Sequence, residues 1–195
     1  MPRRLLAFVV VAVALLGSAG CASAVSPAVR VGAVKVSNDD FLAEVGEWTG
    51  NSVAIDPATL TGQSPGTYPL DLVRQLLQQR IDFALHNAKF AELGLTLDDS
   101  MRQQALTVLF GDPSLAGQAF SAFSKSFATQ FTDDVSRQVA VSDALGETDY
   151  AAWRTKAYAT TDIEVNPRYG AWDAASGQIT PPAGPKQPAS APSGP

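Results

Sequence analysis

The sequence contains few of the residue types on which catalysis and metal binding depend. Its 195 residues include one cysteine, Cys21, and one histidine, His86. One cysteine has no partner for an intramolecular disulfide, and one histidine with no second His or Cys does not complete a zinc site. The sequence also lacks a G-x-S-x-G turn, a Ser-x-x-Lys nucleophile with its companion motifs and a glycine-rich phosphate loop. We therefore predict no cofactor and no metal site, and we expect that the protein is not an enzyme.

Charged side chains are also scarce, and acidic ones predominate. Only 17% of the residues are charged, with 14 Lys and Arg against 19 Asp and Glu, which gives a formal net charge of −5. Nucleic-acid binding relies on cations that neutralise phosphates, and anionic membranes attract polybasic segments. The composition therefore argues against nucleic-acid partners and against membrane attachment by charge alone, and no motif indicates a small-molecule substrate.

Residues 1–20 have the three zones of a bacterial secretory signal peptide. Arg3 and Arg4 precede an uninterrupted apolar run at residues 5–16, and small residues follow as far as Gly20. That order is typical of a cleaved leader, and the run is well short of the roughly 20 apolar residues that span a bilayer. We therefore expect the protein to be exported.

Two cleavage sites are available at the end of this leader. The residues before Cys21 resemble a lipobox, after which the new N-terminal cysteine carries lipid, although Ser18 stands where a larger apolar residue is usual. The alternative is an A-x-A site that ends at Ala24 and releases a secreted chain beginning at Val25. A lone thiol is a liability in an oxidising compartment, which favours lipidation of Cys21. Residues 21–28 would then be a tether to the outer face of the cytoplasmic membrane.

The rest of the sequence predicts a mostly α-helical domain at residues 29–173. Residues 29–36 alternate apolar and polar side chains, as a short strand or tight hairpin does, and residues 161–167 alternate again. Pairing these segments would give a small two-stranded β element that joins the ends of the domain. Helical spacing is strongest over residues 70–93, before a stop at Gly94. Other helices are predicted from Ser37, over residues 97–109, from Pro113 through the phenylalanine-rich segment, from Thr132 to Gly146, and from Thr148 onward.

Two segments lack helical periodicity. Residues 50–69 are rich in Gly and Pro, which predicts a long loop. After Trp172 the composition changes abruptly, and six of the last 15 residues are proline. Because such a segment has almost nothing to bury, we predict that residues 174–195 are a disordered tail.

His86 is predicted to lie on the polar face of the helix at residues 70–93, together with Asp82 and Lys89. We expect a solvated surface side chain there. The alternative is a metal ligand or general base supported by Asp82 one turn away. Two ligands on one helix face do not make a closed metal site, which favours the surface interpretation.

Phe120, Phe123, Phe127 and Phe131 are predicted to form one stripe of a single helix. One interpretation is that they pack against the long helix as core. The other is that some of them line an apolar groove that binds unfolded or extended polypeptide through its side chains. The sequence leaves both interpretations open, and different residues of the stripe could serve each.

Two segments carry a family resemblance, VGAVKVSNDDFLAEV at residues 31–45 and LLQQRIDFALHNAKFAELGLTLDDSMRQQA at residues 76–105. They are similar to the N-terminal domain of SurA/PrsA-type periplasmic chaperones and foldases. NPRYGAWD, at residues 166–173, resembles the segment that follows the helical domain in envelope lipoproteins of this type. The likeness spans residues 29–173, and its central motif is carried by Leu76, Leu77, Ile81, Ala91, Leu93, Gly94, Leu95 and Asp99.

The resemblance implies a module that binds unfolded or extended polypeptide on an apolar surface without ATP. Family members that are prolyl isomerases also carry a parvulin domain. This chain has no length for one between its helices and no histidine pair for a prolyl pocket, so isomerase activity is not implied. The alternative function is a structural or adaptor lipoprotein that binds one folded partner in the cell envelope.

Overall fold

The computed structural model describes residues 26–51 and 68–182. The predicted signal peptide, Cys21 and nearly all of the predicted loop at residues 50–69 lie outside these ranges. Within them the chain is mostly helical, as predicted, and no helix combines the length and hydrophobicity that a membrane span requires.

The described residues form five α-helices, a three-stranded sheet and a two-stranded sheet, with a short 3₁₀ turn at Pro113–Leu115 between the third and fourth helices. The elements in chain order are β1 (Val29–Val31), β2 (Val34–Val36), α1 (Asn38–Thr49), α2 (Leu70–Glu92), α3 (Asp99–Phe110), α4 (Ala116–Ala119), α5 (Lys125–Thr160), β3 (Ile163–Val165), β4 (Ala171–Asp173) and β5 (Gln178–Thr180).

The sheet joins the two ends of the domain. Its strand order is β2-β1-β3 and both pairings are antiparallel, with Val31 opposite Val34 on one side and opposite Ile163 on the other. Gly32 has a φ of 55° in the two-residue turn between β1 and β2, which matches the turn geometry that tight hairpins favour. The predicted pairing of the first and last segments is confirmed, and the hairpin adds a third strand to it.

Helix α2 is the centre of the hydrophobic core. Its inner residues Leu77 and Ile81 are fully buried against β1 and α1, where Val29 and Phe41 are fully buried as well. The helix ends where predicted, because Gly94 has a φ of 65° that a side-chain-bearing residue rarely adopts. Helix α1 begins at the predicted cap, since the Asp40 N–H donates to Ser37 Oγ at 3.0 Å.

The predicted division of the C-terminal helices is wrong in two places. Residues 120–124 are not helical, and α5 begins after Ser124, whose Oγ accepts from the Phe127 N–H at 3.3 Å. Thr132 does not start a new helix; it lies inside α5, where its hydroxyl donates to the Ala128 carbonyl at 2.8 Å. The predicted break at Gly146 is confirmed, since its φ of 72° and ψ of 165° are not helical and two helical segments of α5 meet there at a kink.

The prediction that the disordered tail begins at residue 174 is also wrong for its first part. β4 and β5 pair in a hairpin, with Trp172 opposite Ile179, and both side chains pack against the main core. Gly177 in the turn lies against the Tyr158 ring, so closely that an added Cβ would come within 2.4 Å of it. The packing of Trp172 and Ile179 and the contact of Gly177 with Tyr158 therefore attach this hairpin to the domain. Residues 183–195 lie outside the described ranges.

Candidate functional site

A cavity of about 470 Å³ opens between the C-terminal ends of α1 and α3 and the chain that leads to α5. We call it the aromatic cavity. None of the described residues that line it is charged, and most are aromatic or aliphatic: Trp48, Leu109, Phe110, Leu115, Gln118, Ala119, Phe120, Phe123 and Phe131. Such a lining offers little to orient a polar ligand and favours apolar groups.

Trp48 organises the aromatic side chains of this cavity. Its indole lies edge-on to Phe123 and Phe131, with ring centroids 5.2 Å apart in both pairs. Edge-on aromatic pairs contribute about 0.5–1.5 kcal/mol each beyond the area they bury. Sequence reasoning did not assign Trp48 to the site, although it is the last apolar residue of the stripe on α1 and therefore continues the buried face to the end of that helix.

The four predicted phenylalanines divide between two elements. Phe127 and Phe131 lie on α5, whereas Phe120 and Phe123 belong to the non-helical chain before it. The predicted single stripe is therefore wrong, because the helix that would carry it is interrupted: α4 ends at Ala119 and α5 begins only at Lys125.

Their exposure also differs. Phe123, Phe127 and Phe131 are 7–9% exposed, whereas Phe120 is half-buried at the edge of the cavity. Phe127 does not line the aromatic cavity; it lines a polar cleft together with Glu44 and Arg80. The structure thus brings three of the four residues to one cavity and leaves Phe120 the most accessible of them.

Apolar surface extends beyond the cavity. Leu115 at its rim is 49% exposed, and Val108 on α3 is 65% exposed. On the other side of α4 lies a second cleft of about 290 Å³, lined by Leu106, Gly117, Phe120 and residues of α5. Phe120 lines both openings.

A largely buried ionic cluster joins α1, α2 and α5. Arg80 pairs with Glu44 and with Asp134, and Asp134 also accepts from Asn87 at 2.9 Å and from Arg137 at 3.1 Å. Burial raises the pKa of Glu44, and the Arg80 guanidinium opposes that shift. Because loss of one partner leaves a buried charge unpaired, the cluster fixes the relative positions of the three helices.

The prediction of a solvated His86 is wrong, since the side chain is 1% exposed. Its Nδ1–H donates to the Asp82 carbonyl at 2.6 Å, and the Tyr150 hydroxyl donates to Nε2 at 2.9 Å. A carbonyl can only accept, so this arrangement assigns the proton to Nδ1. The Trp153 ring lies edge-on at 5.0 Å, and burial lowers the pKa of His86. The structure gives no support to the metal-ligand alternative, because no group of three or more His, Cys, Asp or Glu in the described ranges could hold a metal ion.

The helix face that carries His86 is polar, yet other parts of the chain cover it: His86 is buried, and Gln78 and Asp82 are partly buried. Gln78, Asp82 and His86, which we call the polar stripe, recur every four residues and face residues 147–160 and the β4–β5 turn. The Tyr158 hydroxyl donates to Asp82, and the Gln78 amide donates to the Gly177 carbonyl at 3.1 Å. The polar stripe is therefore an internal contact surface.

Comparison with known proteins adds no assignment. No protein-family model matches this chain, and neither the curated proteins nor the solved structures contain a match.

Proposed function

We propose that this protein binds unfolded or extended polypeptide in the aromatic cavity, as an ATP-independent chaperone or foldase-like protein of the cell envelope. The observation that supports this most directly is the chemistry of the lining, which is uncharged, rich in aromatic rings and open to solvent beside Leu115 and Phe120. A volume of about 470 Å³ holds a few apolar side chains of a bound segment. The resemblance of residues 29–173 to SurA/PrsA-type chaperones agrees with this function.

The expected affinity is modest. A fully buried leucine or phenylalanine side chain contributes about 1.5–3 kcal/mol, so three anchors contribute up to about 9 kcal/mol, of which association costs at least about 4 kcal/mol. The remaining free energy of about 5 kcal/mol at most corresponds to dissociation constants of roughly 0.2 mM or weaker for short peptides. Weak binding of this kind suits a protein that holds many different chains briefly and releases them without ATP.

The proposal includes lipidation of Cys21. In the structure the fold begins at the last residue of the predicted tether, because Ala28 and the following Val29 are already fully buried. At no more than about 3.6 Å per residue, seven residues would hold the domain within about 25 Å of the lipid. The cavity would then act close to chains that emerge from the membrane.

The test compares two apolar residues that are equally exposed at different places. Leu115 at the cavity rim and Val34 on β2 are both 49% exposed. The probe is a fluorescently labelled, reduced and carboxymethylated α-lactalbumin, with suppression of aggregation of several unrelated unfolded proteins as a second readout. We expect Leu115→Ser to weaken both activities and Val34→Ser to leave them unchanged.

Equal losses in the two variants would show that binding is not located at the cavity. If the wild-type protein binds no unfolded chain and instead saturates at 1:1 with one folded envelope protein, the adaptor function replaces the chaperone function.

A further inference from the structure

We propose that the polar cleft lined by Glu44, Arg80 and Phe127 binds a lysine or arginine side chain of the polypeptide whose apolar side chains lie in the aromatic cavity. Glu47 is the residue that selects this basic side chain. The inference rests on the proposed function and names the class of polypeptide that the site prefers.

The polar cleft and the aromatic cavity are neighbours. Glu47 and Ser124 line the polar cleft, which has a volume of about 530 Å³. The residues beside them in the chain, Trp48 and Phe123, line the aromatic cavity. Phe127 lies between the two openings, because it lines the cleft while its ring centroid is 4.9 Å from that of Phe123. An extended chain advances about 3.3 Å per residue, so a basic residue two or three positions from an apolar anchor in the cavity can reach the cleft.

The lining of the polar cleft is acidic on balance. It contains three carboxylates and two cations: Asp40, Glu44, Glu47, Lys35 and Arg80. Arg80 is already paired with two carboxylates, since it contacts both Glu44 and Asp134. A basic side chain that enters the cleft therefore meets a net negative charge, whereas an acidic side chain is repelled.

Glu47 is the carboxylate best placed to meet the basic side chain. Its Oε2 accepts from the Ser124 N–H at 2.9 Å, and among the described residues it forms no ion pair. A carboxylate has about four acceptor positions, so most of its capacity remains. Glu47 is partly exposed and directly precedes Trp48, whereas Asp40 lies about two helical turns farther from the aromatic cavity.

The experiment compares short labelled peptides that share one core of leucine and phenylalanine. Lysine, glutamine or glutamate flanks the core, so the peptides differ mainly in charge. The variant is Glu47→Gln, whose side-chain carbonyl oxygen can still accept from the Ser124 N–H. Glu147→Gln is the matched control, because it removes the same charge from an exposed position on α5 beyond the kink at Gly146. Urea unfolding checks that both variants are folded.

We expect the wild type to bind the lysine peptide about threefold more tightly than the glutamine peptide, as one partly exposed ion pair would, and to bind the glutamate peptide most weakly. Glu47→Gln should remove most of this preference, and Glu147→Gln should keep it. Salt at about 1 M shortens the Debye length to about 3 Å and should remove the preference in the wild type without any substitution.

Equal binding of the lysine and glutamine peptides by the wild type would overturn the inference and leave the proposed function intact. The same loss of preference in Glu47→Gln and Glu147→Gln would also overturn it, because the preference would then come from the overall charge of the protein. If the wild type binds none of the peptides and no carboxymethylated α-lactalbumin, the proposed function fails and the inference fails with it.

Discussion

The aromatic cavity and the polar stripe of α2 have opposite chemistry. The polar stripe consists of an amide, a carboxylate and an imidazole, yet His86 is 1% exposed beneath residues 147–160. The aromatic cavity consists mainly of hydrocarbon, yet Phe120 and Leu115 beside it remain partly accessible. Polarity along one helix therefore does not predict exposure, because the partner that covers a face comes from a distant part of the chain.

The difference also separates structural roles from binding roles. Along the polar stripe, hydrogen bonds with fixed geometry hold the C-terminal half of α5 and the β4–β5 hairpin in one arrangement. At the aromatic cavity the contacts are mainly between aromatic rings, and residues 111–124 contribute only short turns. We expect mutations to destabilise the fold at the polar stripe and to change ligand binding at the cavity edge.

The largest effect is expected in a comparison of two phenylalanines of the aromatic cavity, one buried and one at its edge. Phe131 is 7% exposed and contacts Trp48 and Phe83, so Phe131→Ala should lower the free energy of unfolding by about 3–5 kcal/mol. Phe120→Ala should lower it by less than about 1.5 kcal/mol, since that side chain is half-buried, and should weaken peptide binding instead. Urea unfolding and peptide affinity, measured on the same samples, distinguish a loss of stability from a loss of binding. Equal destabilisation by both variants would mean that Phe120 is ordinary core.

A truncation pair tests the C-terminal hairpin. A chain that ends after Asp173 loses β5 and the packing of Ile179 and Gly177, and its free energy of unfolding should fall by about 2 kcal/mol. A chain that ends after Pro182 keeps both and should match the full-length protein. Thermal unfolding of the two truncated proteins checks this. If their melting temperatures agree, the hairpin adds nothing to stability. The predicted boundary at residue 174 would then mark the end of the part of the chain that stabilises the domain.

The pH dependence of stability tests His86. Burial lowers its pKa from the ordinary value of 6.5, so the unfolded state takes up the proton more readily than the folded state. This contribution to stability is fully present above pH 6.5 and is lost as the pH falls through 6.5 towards the folded-state pKa. Among the neighbouring charges, Asp82 favours the proton and Arg154 opposes it.

The measurement is urea unfolding at pH 7.5 and at pH 5.5, for the wild type and for His86→Gln. We expect the wild type to lose more stability on acidification than the variant, which cannot charge at that position. A second variant, Tyr150→Phe, removes the donor to Nε2 and should lower stability at pH 7.5 by about 1 kcal/mol. An equal response of wild type and His86→Gln to acidification would contradict the predicted role of burial.

The smallest effect on folding is expected at Cys21. Cys21→Ser should abolish incorporation of labelled palmitate and release the protein from the membrane fraction, without changing the stability of the domain. If the wild type takes up no label and its mature N-terminus is Val25, the protein is secreted.

Local signals in the sequence determined much of the secondary structure. The Ser37 cap, the apolar spacing of α2 and the stop at Gly94 were predictable because each depends on residues within one or two helical turns. The alternation at residues 29–36 and 161–167 likewise identified the strands that join the ends of the domain.

Tertiary structure alone decided which surfaces are covered. His86 is buried because Gly146 kinks α5 and directs Tyr150 and Trp153 onto α2, a contact across more than 60 residues that no local pattern encodes. The aromatic cavity forms because Trp48 contacts phenylalanines from α5 and from the non-helical chain before it, and the predicted single stripe gave no indication of that division. Periodicity describes one helix at a time, whereas burial is a property of the elements packed against it.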